Sequence, residues 1–217
     1  MGKKIILITA LMLASAAVYA ERPLVVDDPG VVDVGHGHIE TWFEKRGKKD
    51  RSWNLNAAIG IAKNLGIYTS FTKNIEEDRT TVSAIELKWQ ITEVKGDGCH
   101  VGGLIGISHE NVKGGNEPYV KGLAGCYYGD NSVYLNFGIS NPRNESKDKF
   151  LTNWGVAYER PLFYGVIGHI EYFSAKEDKP TFQVGLRRTF FDHLQLDGSI
   201  GRYDGETVFS LGMKISF

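Results

Sequence analysis

The sequence predicts an all-β protein, a single closed antiparallel transmembrane β-barrel of about twelve strands. Apolar and polar residues alternate with a period of two along most of the chain, whereas a helix would repeat every 3.6 residues. The predicted strands run roughly 9–12 residues, close to the ~9–11 residues of a tilted membrane-crossing strand. Short turns alternate with longer charged loops, an arrangement typical of outer-membrane barrels.

The first twenty residues are typical of a secretory signal peptide. Lys3 and Lys4 form its positive region, the stretch 5–18 is apolar, and Val18-Tyr19-Ala20 is a small-residue cleavage site. Residues 21–36 follow as a turn-rich lead that is not strand-like. We expect this lead either to hang in the periplasm, as untied termini usually do, or to fold into the lumen as a plug. The barrel itself is predicted over 37–217.

Each segment of alternating apolar and polar residues predicts one strand. In the last of them, Phe209, Leu211 and Met213 share one face, while Ser210 and Gly212 share the other. The same analysis places strands near 37–46, 53–62, 65–73, 80–91, 99–110, 118–129, 132–140, 151–160, 164–174, 181–190, 194–203 and 206–217.

The connections between these strands set the orientation. Short turns are predicted at 63–64, 130–131 and 191–193, and longer charged loops at 47–52, 74–79, 111–117, 141–150 and 175–180. Two connections do not fit this alternation: 92–98 is long for a periplasmic turn, and 204–205 is short for an outer loop. With an even number of strands, both termini of the barrel are expected on the periplasmic side.

Three observations favour a membrane barrel over a soluble one, whose interior would be apolar. The apolar face carries large side chains, with Trp, Tyr and Phe near the strand ends as an aromatic girdle requires. The opposite face carries charges at strand centres, which a dry core holds only at a high desolvation cost. The chain also ends in an aromatic residue, Phe217, on the outward face, an ending that resembles the terminal signal of bacterial outer-membrane proteins.

Composition excludes other classes of protein. The 25 Lys and Arg nearly balance the 26 Asp and Glu, which argues against a nucleic-acid-binding protein. Aromatic residues are 12% and hydrophobic residues 42%, too many for a disordered chain. After residue 20 no apolar run approaches the ~18 residues of a membrane-spanning helix.

The start of the predicted mature chain carries a resemblance to a known family. Arg22-Pro23-Leu24, Asp27-Asp28, Gly30, Gly35 and Glu40 resemble the mature N-termini of small outer-membrane transporter-like proteins labelled with the MetA pathway of phenol degradation. The motif covers about 20 residues. The resemblance implies a barrel in the bacterial outer membrane that passes hydrophobic or aromatic small molecules, and it transfers no site residue.

Charges on the inward face are the candidate pore-lining residues. These are Glu40, Glu86, Lys88, His169, Glu171, Arg187, Asp197 and Lys214. Turn centres place Arg187 directly opposite Asp197, with Lys214 on the diagonal, and direct neighbours have Cβ atoms about 5 Å apart. The three either form an inner-wall charge ladder that lines or narrows a pore, or neutralise one another and stiffen the barrel.

The sequence therefore predicts a channel or transporter for small solutes in the outer membrane. A non-conducting structural or adhesive barrel working through its external loops is the alternative, and an outer-membrane enzyme is the third. We predict no enzyme, because Ser108-His109-Glu110-Asn111 lacks a serine placed to be activated by the histidine. We also predict no cofactor and no metal site, since Gly35-His36-Gly37-His38 lacks a third ligand at fixed spacing.

The two cysteines and the expected partners complete the prediction. A hairpin centred near 113–114 places Cys99 opposite about 127–128, close enough to Cys126 for a disulfide in the oxidising periplasm. The expected partners are outer-membrane lipid, a small-molecule solute and the barrel assembly machinery acting on Phe217, with no nucleic acid.

Overall fold

The structure is a computed structural model that describes residues 24–48, 50–75, 80–93, 96–112, 115–141, 150–175 and 178–217. The predicted signal peptide, residues 1–20, and the first residues of the predicted lead, 21–23, lie outside this part of the chain. Among the described residues, no helix is long and apolar enough to cross a membrane.

Within the described residues, twelve antiparallel strands form one closed barrel, which confirms the predicted fold. Each strand pairs with its neighbours in sequence, and β1 pairs with β12 to close the ring. The strands are β1 (Gly37–Arg46), β2 (Asp50–Ala62), β3 (Leu65–Asn74), β4 (Thr81–Gln90), β5 (Gly98–Glu110), β6 (Gly115–Tyr128), β7 (Asn131–Ser140), β8 (Leu151–Pro161), β9 (Val166–Ala175), β10 (Thr181–Phe190), β11 (Leu194–Tyr203) and β12 (Glu206–Ser216).

Most strand boundaries lie within a residue or two of the predicted ones. β2 begins at Asp50 and β6 at Gly115, three residues before their predicted starts, because ladder pairing continues into the charged connections. The short β11–β12 connection is a two-residue hairpin in which Asp204 (φ 45°) and Gly205 (φ 80°) both have left-handed backbones, the pattern of a type I′ turn.

The two faces of the barrel wall differ in chemistry. Large apolar side chains point outward and are exposed, among them Leu55, Ile105, Leu135 and Ile200. Polar side chains point inward and are buried; these include Asn54, Asn136, Gln183, Gln195, Ser199 and Ser210. An apolar exterior with a polar interior is the reverse of a soluble barrel and suits a wall surrounded by lipid.

The first and last strands meet at one rim, called here the lower rim. Gly37 N donates to Phe217 O at 2.8 Å, and Phe217 N donates to Gly37 O at 2.9 Å. This reciprocal pair completes the β1–β12 ladder, so no strand edge of the ring is left open, as a barrel in lipid requires. The lower rim is the one that the sequence predicts to face the periplasm.

Candidate functional site in the barrel lumen

Residues 24–36, called here the N-terminal segment, run inside the barrel. Gly35 N donates to Gly60 O and Gly60 N donates to His36 O, which ties the segment to β2 near the lower rim. Gly35 has φ 82° at this entry point, a backbone that glycine adopts without strain. Deeper in, Val26 is 1% exposed and Asp28 is fully buried. Of the two placements that the sequence left open, the structure has the lumenal one for these residues.

Glycines on the inner wall make room for this segment. A Cβ on Gly125 of β6 would lie 2.8 Å from Cδ of Pro29, and one on Gly155 of β8 would lie 2.6 Å from Cγ2 of Val26. Both distances are shorter than non-bonded carbon atoms tolerate. Any larger residue at these two positions would therefore displace the segment from the wall.

The backbone of the segment is held by two inward side chains. The Glu171 carboxylate on β9 accepts hydrogen bonds from Val25 N at 2.7 Å and Val26 N at 2.9 Å. Asn136 on β7 accepts from Asp27 N and donates back to Asp27 O, both at 2.7 Å. These contacts satisfy peptide groups that would otherwise be buried without a partner.

Two lysines face the carboxylates of the segment. Lys121 Nζ on β6 lies 3.4 Å from Asp27 Oδ2, and Lys88 Nζ on β4 lies 3.6 Å from Asp28 Oδ1. Both lysines are registered with Leu104 on the intervening strand β5, so they stand in one row across the wall. The Asp28 carboxylate is buried and the Asp27 carboxylate is partly exposed; pairing with them offsets the cost of removing the ammonium groups from water.

The segment also completes a small apolar cluster inside the barrel. Val26, Tyr134 and Ala157 are each at most 1% exposed. Partly buried apolar residues pack against this cluster, namely Leu24, Tyr127 and Phe173. The lumen therefore offers an apolar patch as well as charged and amide groups.

The predicted charge ladder has the predicted register. Arg187 is opposite Asp197, and Lys214 is opposite Gln195, one diagonal step from Asp197. Arg187 also reaches across β9 to β8, where its Nη2 lies 3.0 Å from Glu159 Oε2. The alternation of polar and apolar residues along β8 shows that Glu159 points inward. Nothing local in the sequence indicates that its partner lies on β10, two strands away.

The predicted pore-lining residues lie on the inner wall, and six of the eight are buried. Glu40, Lys88, His169, Glu171, Arg187 and Asp197 are at most 4% exposed, and Glu86 and Lys214 are partly buried. Glu86 accepts a hydrogen bond of 2.7 Å from the Tyr119 hydroxyl. The sequence predicts a water-filled lumen around such charges. In the structure the N-terminal segment covers two of them, Glu171 through Val25 and Val26 and Lys88 through Asp28.

Cys99 and Cys126 are direct partners in the β5–β6 ladder, and a disulfide joins them. The turn-centre estimate of the partner position was off by one or two residues, since the hairpin is centred slightly earlier than predicted. The bond lies at the lower-rim end of both strands.

The two remaining histidine motifs, 108–111 and 35–38, form neither a nucleophile–base pair nor a metal site among the described residues. His109 Nδ1 lies 3.1 Å from Asn116 Oδ1 at an exposed strand end, and neighbouring Ser108 points to the other face of β5, as successive strand residues do. His38 Nε2 lies 4.0 Å from Glu40 Oε1. Among the described residues, no group of three or more His, Cys, Asp and Glu is arranged to hold a metal ion.

The closed twelve-stranded ring, its apolar exterior and its polar interior define the fold of a small outer-membrane porin. Within that class, the chain belongs to the family described as uncharacterised conserved protein UCP029691, whose family model matches residues 8–215. The description of that family names no pathway, so the phenol-degradation label that the mature N-terminus resembles is not confirmed. A comparison with curated proteins finds no match.

Solved structures with the same fold are porins and a channel. The KdgM porin in complex with disordered oligogalacturonate matches with a TM-score of 0.67 and 13% identity, over 83% of this chain and 99% of that one. The NanC porin matches with a TM-score of 0.63 and 10% identity, over 82% and 98%. The COG4313 outer membrane channel from Pseudomonas putida F1 has a TM-score of 0.63 and 10% identity, over 88% and 98%. At these identities the likeness is one of fold.

Proposed function

We propose that this protein is a channel for small solutes in the bacterial outer membrane and that its N-terminal segment closes the lumen in the conformation described. The observation that carries the proposal is the polar inner wall within an apolar exterior, since a barrel with no passage to line could fill its interior with apolar side chains. The porin and channel names of the structures that share the fold support it.

A twelve-stranded barrel is intermediate in width. Barrels of about eight strands are filled by their own side chains, and those of about 16–18 leave an open aqueous channel. Here the N-terminal segment lies in the lumen in addition to the side chains of the wall, and its contacts with the wall are non-covalent. Conduction therefore requires the segment to move, and the glycine at Gly35 supplies a flexible point next to its attachment on β2.

The test is planar-bilayer conductance of the refolded full-length protein and of Gly125→Ala. The new methyl group meets the Pro29 ring at 2.8 Å, so we expect larger or more frequent conductance steps in the variant. Gly122→Ala on the same strand is the matched control, because the nearest atom to its Cβ is 3.8 Å away. Silence from both variants, with folded barrels shown by heat-modifiable gel mobility, would refute the channel and favour a non-conducting structural or adhesive barrel.

Passage of hydrophobic or aromatic solutes is a second candidate for the cargo. It is supported by the apolar cluster of Val26, Tyr134 and Ala157 inside the lumen and by the resemblance of residues 22–40 to the phenol-degradation family. Uptake of phenol into vesicles containing Gly125→Ala, compared with Gly122→Ala, tests it. Equal uptake by the two variants would count against this cargo.

The location and partners of the protein follow from the same proposal. We propose that the signal peptide is removed, that lipid contacts the outward apolar face, that Phe217 presents the terminal signal to the barrel assembly machinery, and that the protein is not an enzyme. Fractionation of cell envelopes, with and without Phe217, tests the assembly step. Unchanged outer-membrane insertion of the shortened chain would argue against a role for Phe217.

A further inference from the structure

We propose that the inner wall covered by residues 25–28 is a binding site for a short acidic peptide and that the N-terminal segment occupies it as an internal substitute for that peptide. This inference rests on the proposed channel function, because such a peptide would be a solute of the channel.

The wall recognises peptide groups rather than carboxylates alone. Asn136 makes a reciprocal pair of hydrogen bonds, both 2.7 Å, with the N–H and C=O of Asp27. Glu171 accepts from the next two N–H groups, those of Val26 and Val25. An amide side chain that both donates and accepts matches a peptide unit, and a carboxylate matches consecutive N–H groups or a free amino terminus.

The same wall supplies two cations at the position of the acidic side chains. Lys121 and Lys88 lie within 3.4 and 3.6 Å of the carboxylates of Asp27 and Asp28. Their Cα atoms are separated by two strand spacings, roughly 9.6 Å at about 4.8 Å per strand. Once the segment leaves, the two ammonium groups lose the carboxylates of Asp27 and Asp28, while Glu86 stays on the same wall with its hydrogen bond from Tyr119. The two lysines then lie where the acidic side chains of a bound peptide would enter, and Glu171 lies where its N–H groups would.

The wall also has space of defined size for a small apolar side chain. Gly155 lies under Val26, and Tyr134 and Ala157 pack around it. The recognised sequence is thus a small apolar residue followed by acidic residues. A neutral sugar or a simple inorganic anion would satisfy some of these groups but not the amide pair on Asn136 together with both lysines.

The experiment uses the full-length Gly125→Ala protein, in which Pro29 is displaced, and two peptides, acetyl-Val-Val-Asp-Asp-amide and acetyl-Val-Val-Asn-Asn-amide. We expect the acidic peptide to block the current at about tenfold lower concentration, because charge-assisted contacts are the stronger ones. In the same chain, Lys88→Gln with Lys121→Gln should remove most of that difference. Lys63→Gln is the matched control, since Lys63 lies in the β2–β3 turn, where it is exposed and pairs with Glu93.

A second readout separates the two proposals. Fluorescence anisotropy of the labelled acidic peptide measures binding to the detergent-solubilised barrel without any current. Conductance with equal block by the two peptides would overturn the peptide site and leave the channel standing. Binding that depends on both lysines, in a barrel that never conducts, would support the site and overturn the channel. If Gly125→Ala does not refold, the full-length Asp27→Asn, Asp28→Asn chain, in which the segment loses its pairing with both lysines, takes its place.

Discussion

Arg187 on β10 reaches across β9 to Glu159 on β8, with Nη2 3.0 Å from Oε2 and both side chains at most 4% exposed. The Tyr134 hydroxyl donates to the same Glu159 oxygen at 3.3 Å. The pair thus joins strands two positions apart in the ring. Because both charges are buried, each depends on the other for its solvation.

Removing one partner of this pair should destabilise the barrel strongly. Arg187→Ala removes the ion-pair partner of the buried Glu159 carboxylate, and we expect the free energy of unfolding to fall by about 3 kcal/mol. Urea unfolding of the refolded barrel in lipid vesicles, followed by tryptophan fluorescence, measures the change. Arg188→Ala is the control, since Arg188 is exposed on the outer face. Equal losses in both variants would show that the ion pair contributes nothing specific.

Weakening the anchor of the N-terminal segment should favour the open channel. Glu171→Gln replaces a carboxylate that accepts two backbone N–H bonds with an amide whose single oxygen is a weaker acceptor. We expect single-channel records to show closed periods about tenfold shorter. Glu44→Gln, which changes a half-exposed inward carboxylate near Arg46, should leave them unaltered. Unchanged closed periods in Glu171→Gln would argue that the segment is not the gate.

The cysteine pair predicts a defined thiol count. Denatured, unreduced protein should release no free thiol, and two thiols would contradict the bond. Replacing Cys99 and Cys126 with serine should lower the free energy of unfolding by about 3 kcal/mol, since the bond closes a loop between residues 27 positions apart. Reduced wild-type protein is the control and should resemble the double variant.

The outward apolar face predicts how substitutions depend on depth in the membrane. Leu135→Arg at the centre of β7 should cost about 2–4 kcal/mol of folding free energy in lipid vesicles, as charges at the bilayer midplane do. Leu162→Arg, the same change beyond the end of β8 at the lower rim, should cost about 0–1 kcal/mol. Equal effects at both positions would be inconsistent with a lipid-facing wall.

The sequence was sufficient to predict the ring but not its contents. Period-two alternation is a local signal, so it located the strands, and turn positions then placed Arg187 opposite Asp197 correctly. The contacts of Val26 with Gly155, and of Asp27 with Asn136, join residues more than a hundred positions apart. No periodicity reports such contacts. Gly125 and Gly155 lie on the polar face of their strands in the sequence pattern. Glycines at such positions indicate space on the inner wall, which is the one sequence feature related to the N-terminal segment.

The route of the N-terminal segment constrains the order in which the molecule is assembled. The segment contacts β2 through Gly60, β7 through Asn136 and β9 through Glu171, so it touches the ring at strands made early, midway and late in the chain. The seam between Gly37 and Phe217 closes only after β12 exists. The segment is therefore either captured by the growing sheet before the seam forms or threaded through the lower rim afterwards. Capture would make the N-terminal segment a template on which the later strands of the barrel align.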